Sequence, residues 1–157
     1  MADPENTLVL ETSKGRVVIA LRPDLAPNHV ERIRTLARDG FYDGVPFHRV
    51  IEGFMAQTGD PTGTGMGGST LPDVKAEFSQ VHYDPGTVGA ARSSDPDTFN
   101  SQFFITFADA GFLDGQYTVF GKVVAGMDVV NRIKKGDPQS GAMRDPDKII
   151  SAKIEYK

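Results

Sequence analysis

Phe47-His48-Arg49-Val50-Ile51-Glu52-Gly53-Phe54-Met55-Ala56-Gln57-Thr58-Gly59-Asp60 decides how the rest of the chain is read. In an extended strand alternate side chains share a face, which places Phe47, Arg49 and Ile51 together. An arginine between two large apolar side chains is out of keeping with a core. Its guanidinium keeps its charge and needs acceptors once desolvated. Glu52-Gly53 signals a bend, and past it Met55 and Gln57 share a face, a thioether beside an amide. The stretch therefore describes an apolar surface with two polar heads set into it. A core strand whose arginine pairs with a distant carboxylate satisfies the same spacing, so the neighbouring elements must choose between the two.

Upstream, Asn28 followed by Glu31 has the form of a capping box. Val30, Ile33, Leu36 and Ala37 recur at helical spacing, with Arg32, Arg34 and Arg38 expected on the solvent side. Gly40 suits the position just past the helix end. Further back, residues 7–12 and 16–21 are β-branched runs on either side of Ser13-Lys14-Gly15, a hairpin signal. Pro23 and Pro27 end the second run.

Downstream, Gly63, Gly65 and Gly68 have the spacing of a dinucleotide-binding loop. That motif has to leave a strand and open a helix. Ser69-Thr70-Leu71-Pro72-Asp73 carries no helical stripe, so a surface loop in glycine-favoured dihedrals is expected instead. Residues 86–91 read as a small-residue strand that something bulky approaches closely. Residues 92–98 are turn-rich. In residues 101–107, Phe103, Ile105 and Phe107 form a core face, while Gln102, Phe104 and Thr106 again set an amide beside an aromatic. Phe112-Leu113-Asp114-Gly115 turns into a strand over 117–124, and a second helix is expected over 127–135, with Val130 and Ile133 inward and Gly136 at its end. A polar loop, 137–147, precedes a last strand in which Ile150, Ala152, Ile154 and Tyr156 alternate. Many short strands with two short helices predict an antiparallel barrel rather than βαβ units. Helices plugging its ends would leave a packed interior and put function on the outer face or in loops.

Composition narrows the chemistry. The 157 residues form one expected domain, large enough to bury about two-thirds of the unfolded surface. There is no cysteine, which excludes thiol nucleophiles, disulfides and cysteine-ligated metals. His29, His48 and His82 show no metal-ligand spacing, and no metal or cofactor is expected. A net charge of −4, with both signs interspersed, gives no footprint for nucleic acid or an anionic membrane. Residues 1–6 are polar and acidic without the regions of a secretory signal, and no apolar run nears the roughly 18 residues of a membrane span; the expected location is cytoplasmic. There is no Gly-x-Ser-x-Gly elbow and no carboxylate pair in an apolar frame.

Three blocks carry a family resemblance. Residues 47–51 with 53–60 resemble the signature stretch of the cyclophilins, the cyclosporin-type peptidyl-prolyl cis–trans isomerases. Ser101-Gln102-Phe103-Phe104-Ile105 resembles their second block, and 112–115 with 119–123 their third, in family order from about residue 7 to 156. The resemblance implies an all-β fold, a closed eight-stranded antiparallel barrel capped by two α-helices, with the substrate groove on its outer surface. It implies Arg49 as catalytic, with Phe54, Met55, Phe104 and Leu113 lining a proline pocket. Gln57 and Gln102 match amides that engage the substrate backbone, Ser93 a backbone contact, and Phe112 and Tyr117 the rim. Proline-containing peptides and protein clients are the implied partners of a monomer similar to bacterial cytoplasmic members. Phe112, Tyr117 and Arg92 stand where many eukaryotic members have tryptophan, histidine and alanine, which implies reduced affinity for cyclosporin.

The resemblance makes chemical sense of the anomalous arginine. The X–Pro bond resists rotation by about 18–20 kcal/mol because the amide is conjugated. Twisting it leaves a lone pair on the prolyl nitrogen, which a fixed cation meets only in the twisted state. No covalent intermediate or titrating base is required. The rival reading is a proline-peptide binding module using the same groove without turnover; retention of the whole Arg49 set favours the enzyme.

Overall fold

The hairpin opens the molecule: β1 (Thr7–Thr12) and β2 (Gly15–Leu21) pair antiparallel, and the Thr12–Gly15 register leaves a two-residue turn at Ser13-Lys14. The computed structural model describes residues 4–155; Tyr156, the last of the expected alternating positions, lies outside them. Six further strands follow: β3 (Arg49–Ile51), β4 (Met55–Thr58), β5 (Thr87–Ala90), β6 (Phe103–Thr106), β7 (Val119–Ala125) and β8 (Ile149–Ile154). They form one curled, wholly antiparallel sheet in the order β3-β4-β6-β5-β7-β2-β1-β8. The expected closure is made by a short seam rather than by a ladder between β3 and β8. There the Phe47 N–H donates to the Asp147 carbonyl and the Ile149 N–H to the Val45 carbonyl, both at 2.8 Å, around a bridge between Pro46 and Lys148.

Alternation fills the inside. Leu8, Leu10, Val17, Ile19, Val50, Ala56, Phe103, Ile105 and Phe120 are buried in one cluster. α1 (Pro27–Arg38) packs across β8 and β7, and α2 (Met127–Arg132) against β2. No helix among the described residues is long and apolar enough to cross a membrane.

Five local expectations are corrected. Phe47 belongs to the inner core, whereas Arg49 and Ile51 face outward; β3 begins only at Arg49, so Phe47 precedes its alternation. Asn28 does not cap α1. Ala26 holds the cap position and Pro27 the first turn, where a missing N–H loses nothing. The free N–H groups of Asn28 and His29 instead donate to the Glu77 carboxylate, at 3.3 and 2.9 Å, so a distant acid does what a capping box does locally. Arg32 is buried, not solvent-facing, because the carbonyls of Asn100 and Pro72 accept from its guanidinium. In β8 a register shift opposite Glu11 and Thr12 sends Ile149 and Ala152 inward and leaves Ile150 exposed. α2 is also shorter than expected, since Ile133 takes an extended conformation while keeping its side chain buried.

The close approach expected near residues 86–91 falls at Gly89. A Cβ there would lie 2.3 Å from the Tyr83 hydroxyl and 2.7 Å from the Phe104 ring. Only glycine lets those two rings stack, at 5.8 Å between centroids, over β5. Phe104 forms part of the floor of the site, and Tyr83 backs it.

Candidate active site

Register builds the outer face. The β3–β4 pairing sets Arg49 opposite Gln57 and Ile51 opposite Met55, and the β4–β6 pairing sets Gln57 opposite Phe104. Met55, Tyr83, Phe104, Ala110, Leu113 and Val119 form a second apolar cluster, on which Ile51, Phe54 and Tyr117 rest. The two clusters lie on opposite sides of the same strands: in β6, Phe103 and Ile105 belong to the inner one and Phe104 to the outer. Above the outer cluster opens a groove of about 630 Å³ lined by Arg49, Phe54, Met55, Gln57, Phe104, Phe112, Leu113 and Tyr117, with His48, Arg92 and Ser140. Phe112 stands on the rim, 68% exposed, its ring 5.5 Å from that of Phe54.

Arg49 sits at the edge of this groove, outside the barrel. Its Nη1 donates to Gln57 Oε1 and its Nε to the Ser140 carbonyl, each at 3.2 Å. Neither acceptor is charged, and among the described residues no carboxylate forms an ion pair with it, so the core-strand reading of the arginine fails. The Ser140 carbonyl comes from a loop held by Asp137, which accepts from the N–H groups of Gln139 and Ser140. Gly141 passes so close that a Cβ would lie 2.7 Å from Arg49 Cγ.

Behind Arg49 runs a chain of amides. Gln57 Nε2 donates to Gln102 Oε1 at 2.9 Å, and Gln102 Nε2 donates to the carbonyls of Gly65 and Gly67, both at 3.0 Å. Those carbonyls belong to the glycine-rich loop, which wraps the buried Asp60 carboxylate. Asp60 accepts from the N–H groups of Thr62, Thr64, Gly65 and Gly67 at 2.6–3.1 Å and from the Thr62 hydroxyl. Burial opposes its ionisation, but the Thr62 hydroxyl and the N–H groups of Gly67, Thr62 and Gly65 outweigh that and hold its pKa down to about 2. Positive φ at Gly63 and Gly65 lets the backbone turn its N–H groups inward. The anion in this cradle is the protein's own, in agreement with the surface loop expected in place of a phosphate site.

Gln102 and Ser93 line a second pocket, of about 490 Å³, which adjoins the groove through Gln57, Gly65, Ala91 and Arg92. Ser93 is exposed, with its N–H and hydroxyl both directed to Thr98 Oγ1. Sequence reasoning gave no role to His48 or to the Ser140 carbonyl. Among the described residues neither nitrogen of the half-buried His48 ring has a hydrogen bond of good geometry, and burial lowers its pKa against the opposing influence of Asp60 and Gln102. Its neighbours in sequence mark the site, yet it lies ahead of β3, where strand alternation does not set its direction. A backbone carbonyl 91 residues from Arg49 leaves no trace in side-chain pattern.

The turn that carries Phe112 and Leu113 is fastened by an exposed histidine. His82 Nε2 lies 2.7 Å from Asp109 and Nδ1 2.5 Å from Asp114, with Asp84 at 3.8 Å. Hydrogen bonds to Asp109 and Asp114 raise its pKa to about 9. The unfolded value is about 6.5, so the stabilisation is complete below that pH and is lost as pH rises through 9. The thermal midpoint is therefore expected to fall between pH 6.5 and 9.5, and to fall less in His82→Gln. Parallel slopes for the two proteins in calorimetry would contradict the clamp.

Known proteins resemble this chain over most of its length. The model of the family described as cyclophilin type peptidyl-prolyl cis-trans isomerase/CLD matches residues 7–154. A probable peptidyl-prolyl cis-trans isomerase from Brucella suis is 56% identical over 166 residues, covering 98% of this chain and 85% of that protein. Peptidyl-prolyl cis-trans isomerase ppi1 of Schizosaccharomyces pombe is 43% identical over 127 residues, 79% of this chain and 82% of that one. Among solved structures, a cyclophilin from Hirschia baltica superposes with a TM-score of 0.87 at 31% identity, over 98% of this chain and 75% of its own. A cyclophilin-type isomerase of Cryptosporidium parvum, crystallised in the presence of the dipeptide Ala-Pro, does so with 0.87 at 30% identity, over 96% and 99%.

Proposed function

The chain belongs to the cyclophilin-type peptidyl-prolyl cis–trans isomerases, and from that membership we propose that the outer groove is where it turns X–Pro bonds, with Arg49 as the catalytic residue. The reading is carried by one observation: a permanent cation stands at the edge of an apolar pocket, held by two neutral acceptors. The pyrrolidine ring fits among Phe54, Met55, Phe104 and Leu113. The guanidinium then faces the prolyl nitrogen, whose lone pair becomes an acceptor only when the amide twists. Gln57 lines the groove and engages the substrate backbone, which fixes the part that does not rotate. Gln102 spends its amide on Gln57 and the glycine loop, so its support for substrate passes through Gln57. Ser93 offers its contact from the adjoining pocket, and Phe112 and Tyr117 close the rim.

Each tenfold in rate needs about 1.4 kcal/mol, so a millionfold acceleration needs roughly 8 kcal/mol. One charge-assisted hydrogen bond falls short of that. Desolvation in the pocket and positioning supply the remainder. The clients are proline-containing segments of folding or folded chains, met by a monomer in the cytoplasm. Cyclosporin binds with reduced affinity, because Phe112 has no indole N–H and Arg92 fills space beside the second pocket.

Exchange spectroscopy on an Ala-Pro peptide, with catalytic amounts of protein, tests this reading. Cis–trans exchange well above the buffer rate is expected. Exchange at the buffer rate would leave a groove that holds proline segments without turning them.

A further inference from the structure

We propose that Arg92 selects clients with an acidic side chain at one of the two positions preceding the proline, an inference that rests on the groove being the X–Pro site. Arg92 lines both the groove and the second pocket, and so stands on the ridge between them. Its Nε and Nη2 donate to the Gln116 carbonyl at 3.1 and 3.0 Å, and its Nη1 to the Ser93 carbonyl at 2.9 Å. The guanidinium carbon lies 4.3 Å from the centre of the Tyr117 ring. These contacts fix the group in place, and every one of them is neutral. Carbonyls and a ring orient a cation without cancelling its charge. A guanidinium has five N–H donors, and the Gln116 bond uses only one of the two on Nη2.

The surroundings set the sign. The two cavities are lined by Arg49 and Arg92 against a single carboxylate, Asp73, in a chain whose net charge is −4. Asp73 accepts from Asn100 Nδ2 at 3.1 Å, which ties it to the far wall of the second pocket. Asp95 and Asp97, on the loop after Arg92, line neither cavity and accept from the N–H groups of Asp97 and Ala76. A client carboxylate thus meets a prepositioned cation, and the ordering of that side chain is already complete before binding.

Direction follows from Gln57, which lines both cavities. With the proline ring in the apolar end and its nitrogen at Arg49, the chain before the proline runs past Gln57 toward the second pocket. Each extended residue advances roughly 3.4 Å, so the first two residues pass the ridge. A partly exposed ion pair changes kcat/KM about three- to fivefold, and salt weakens it.

The test compares peptides with Glu, Gln or Lys at each of the two positions before proline, in wild type, Arg92→Met and Arg92→Lys. The Glu-to-Gln ratio of kcat/KM is read within each protein, so a general loss of activity cancels. Expected is a ratio of three or more at one position in wild type, with Lys below Gln, shrinking in 0.5 M salt. Arg92→Met should bring the ratio to about one and Arg92→Lys should retain part of it. Should Arg92→Met not fold, the lysine variant and the salt series carry the test. Equal rates for all three peptides in wild type, or a preference that survives Arg92→Met, would overturn the proposal while leaving the site reading intact. Absence of turnover on every peptide would instead reject the site itself.

Discussion

Arg49→Ala is expected to slow exchange of an Ala-Pro peptide by roughly one to three decades while changing peptide affinity far less. The planar ground state offers the guanidinium no lone pair at nitrogen; the twisted amide does. Removing the side chain therefore raises the barrier by roughly 1.4–4 kcal/mol and leaves the pocket contacts of the ring in place. Arg49→Lys keeps the charge but not the fork that reaches Gln57 and the Ser140 carbonyl together, so it should recover only part of the rate. Exchange spectroscopy gives the rate and chemical-shift titration the affinity. Collapse of affinity at an unchanged limiting rate would assign Arg49 to binding alone.

Asp60→Asn is expected to have the next largest effect, although Asp60 touches no substrate. Its Oδ2 accepts from the N–H groups of Thr64, Gly65 and Gly67. An amide either turns an NH₂ group toward those donors or flips and leaves Thr62 facing it. The native pKa of about 2, against about 3.9 when unfolded, makes the charge worth roughly 2–3 kcal/mol. For a chain of this size that is a fall in thermal midpoint of roughly 5–10 °C. The contribution is present above pH 4 and is lost as pH falls through 2, so the variant should be less sensitive than wild type to acid between those values. Loosening the loop displaces the carbonyls that hold Gln102, and through it Gln57 and Arg49. The rate should drop about tenfold, in kcat more than in KM, which a purely destabilised but otherwise intact site would not show at a temperature where both proteins are folded.

Much of this was legible before any coordinates. The hairpin and both helix positions follow from alternation and spacing, because each depends on neighbours in sequence; the outward direction of Arg49 and Gln57 follows only from the family resemblance, since a core strand fits the same spacing. What sequence misread depends on distant partners. Arg32 is buried because carbonyls of Pro72 and Asn100 happen to reach it, and α1 is capped by Glu77 from 48 residues away. Ile150 faces out because β8 bulges there, its neighbours Ile149 and Ser151 pairing with the consecutive Thr12 and Glu11 of β1. At the site, the groove walls were marked by their aromatic and amide side chains. The Ser140 carbonyl and the Asp60 cradle were not, since backbone groups supply the contacts.

Strand β6 has a consequence for how such a protein diversifies. Phe103 and Ile105 answer to the interior, and Phe104 between them to the groove. Selection for thermal robustness and selection for a new client therefore act on alternate letters of the same word. A lineage can rewrite one set while the other stays as it was, and the scaffold survives each change of diet.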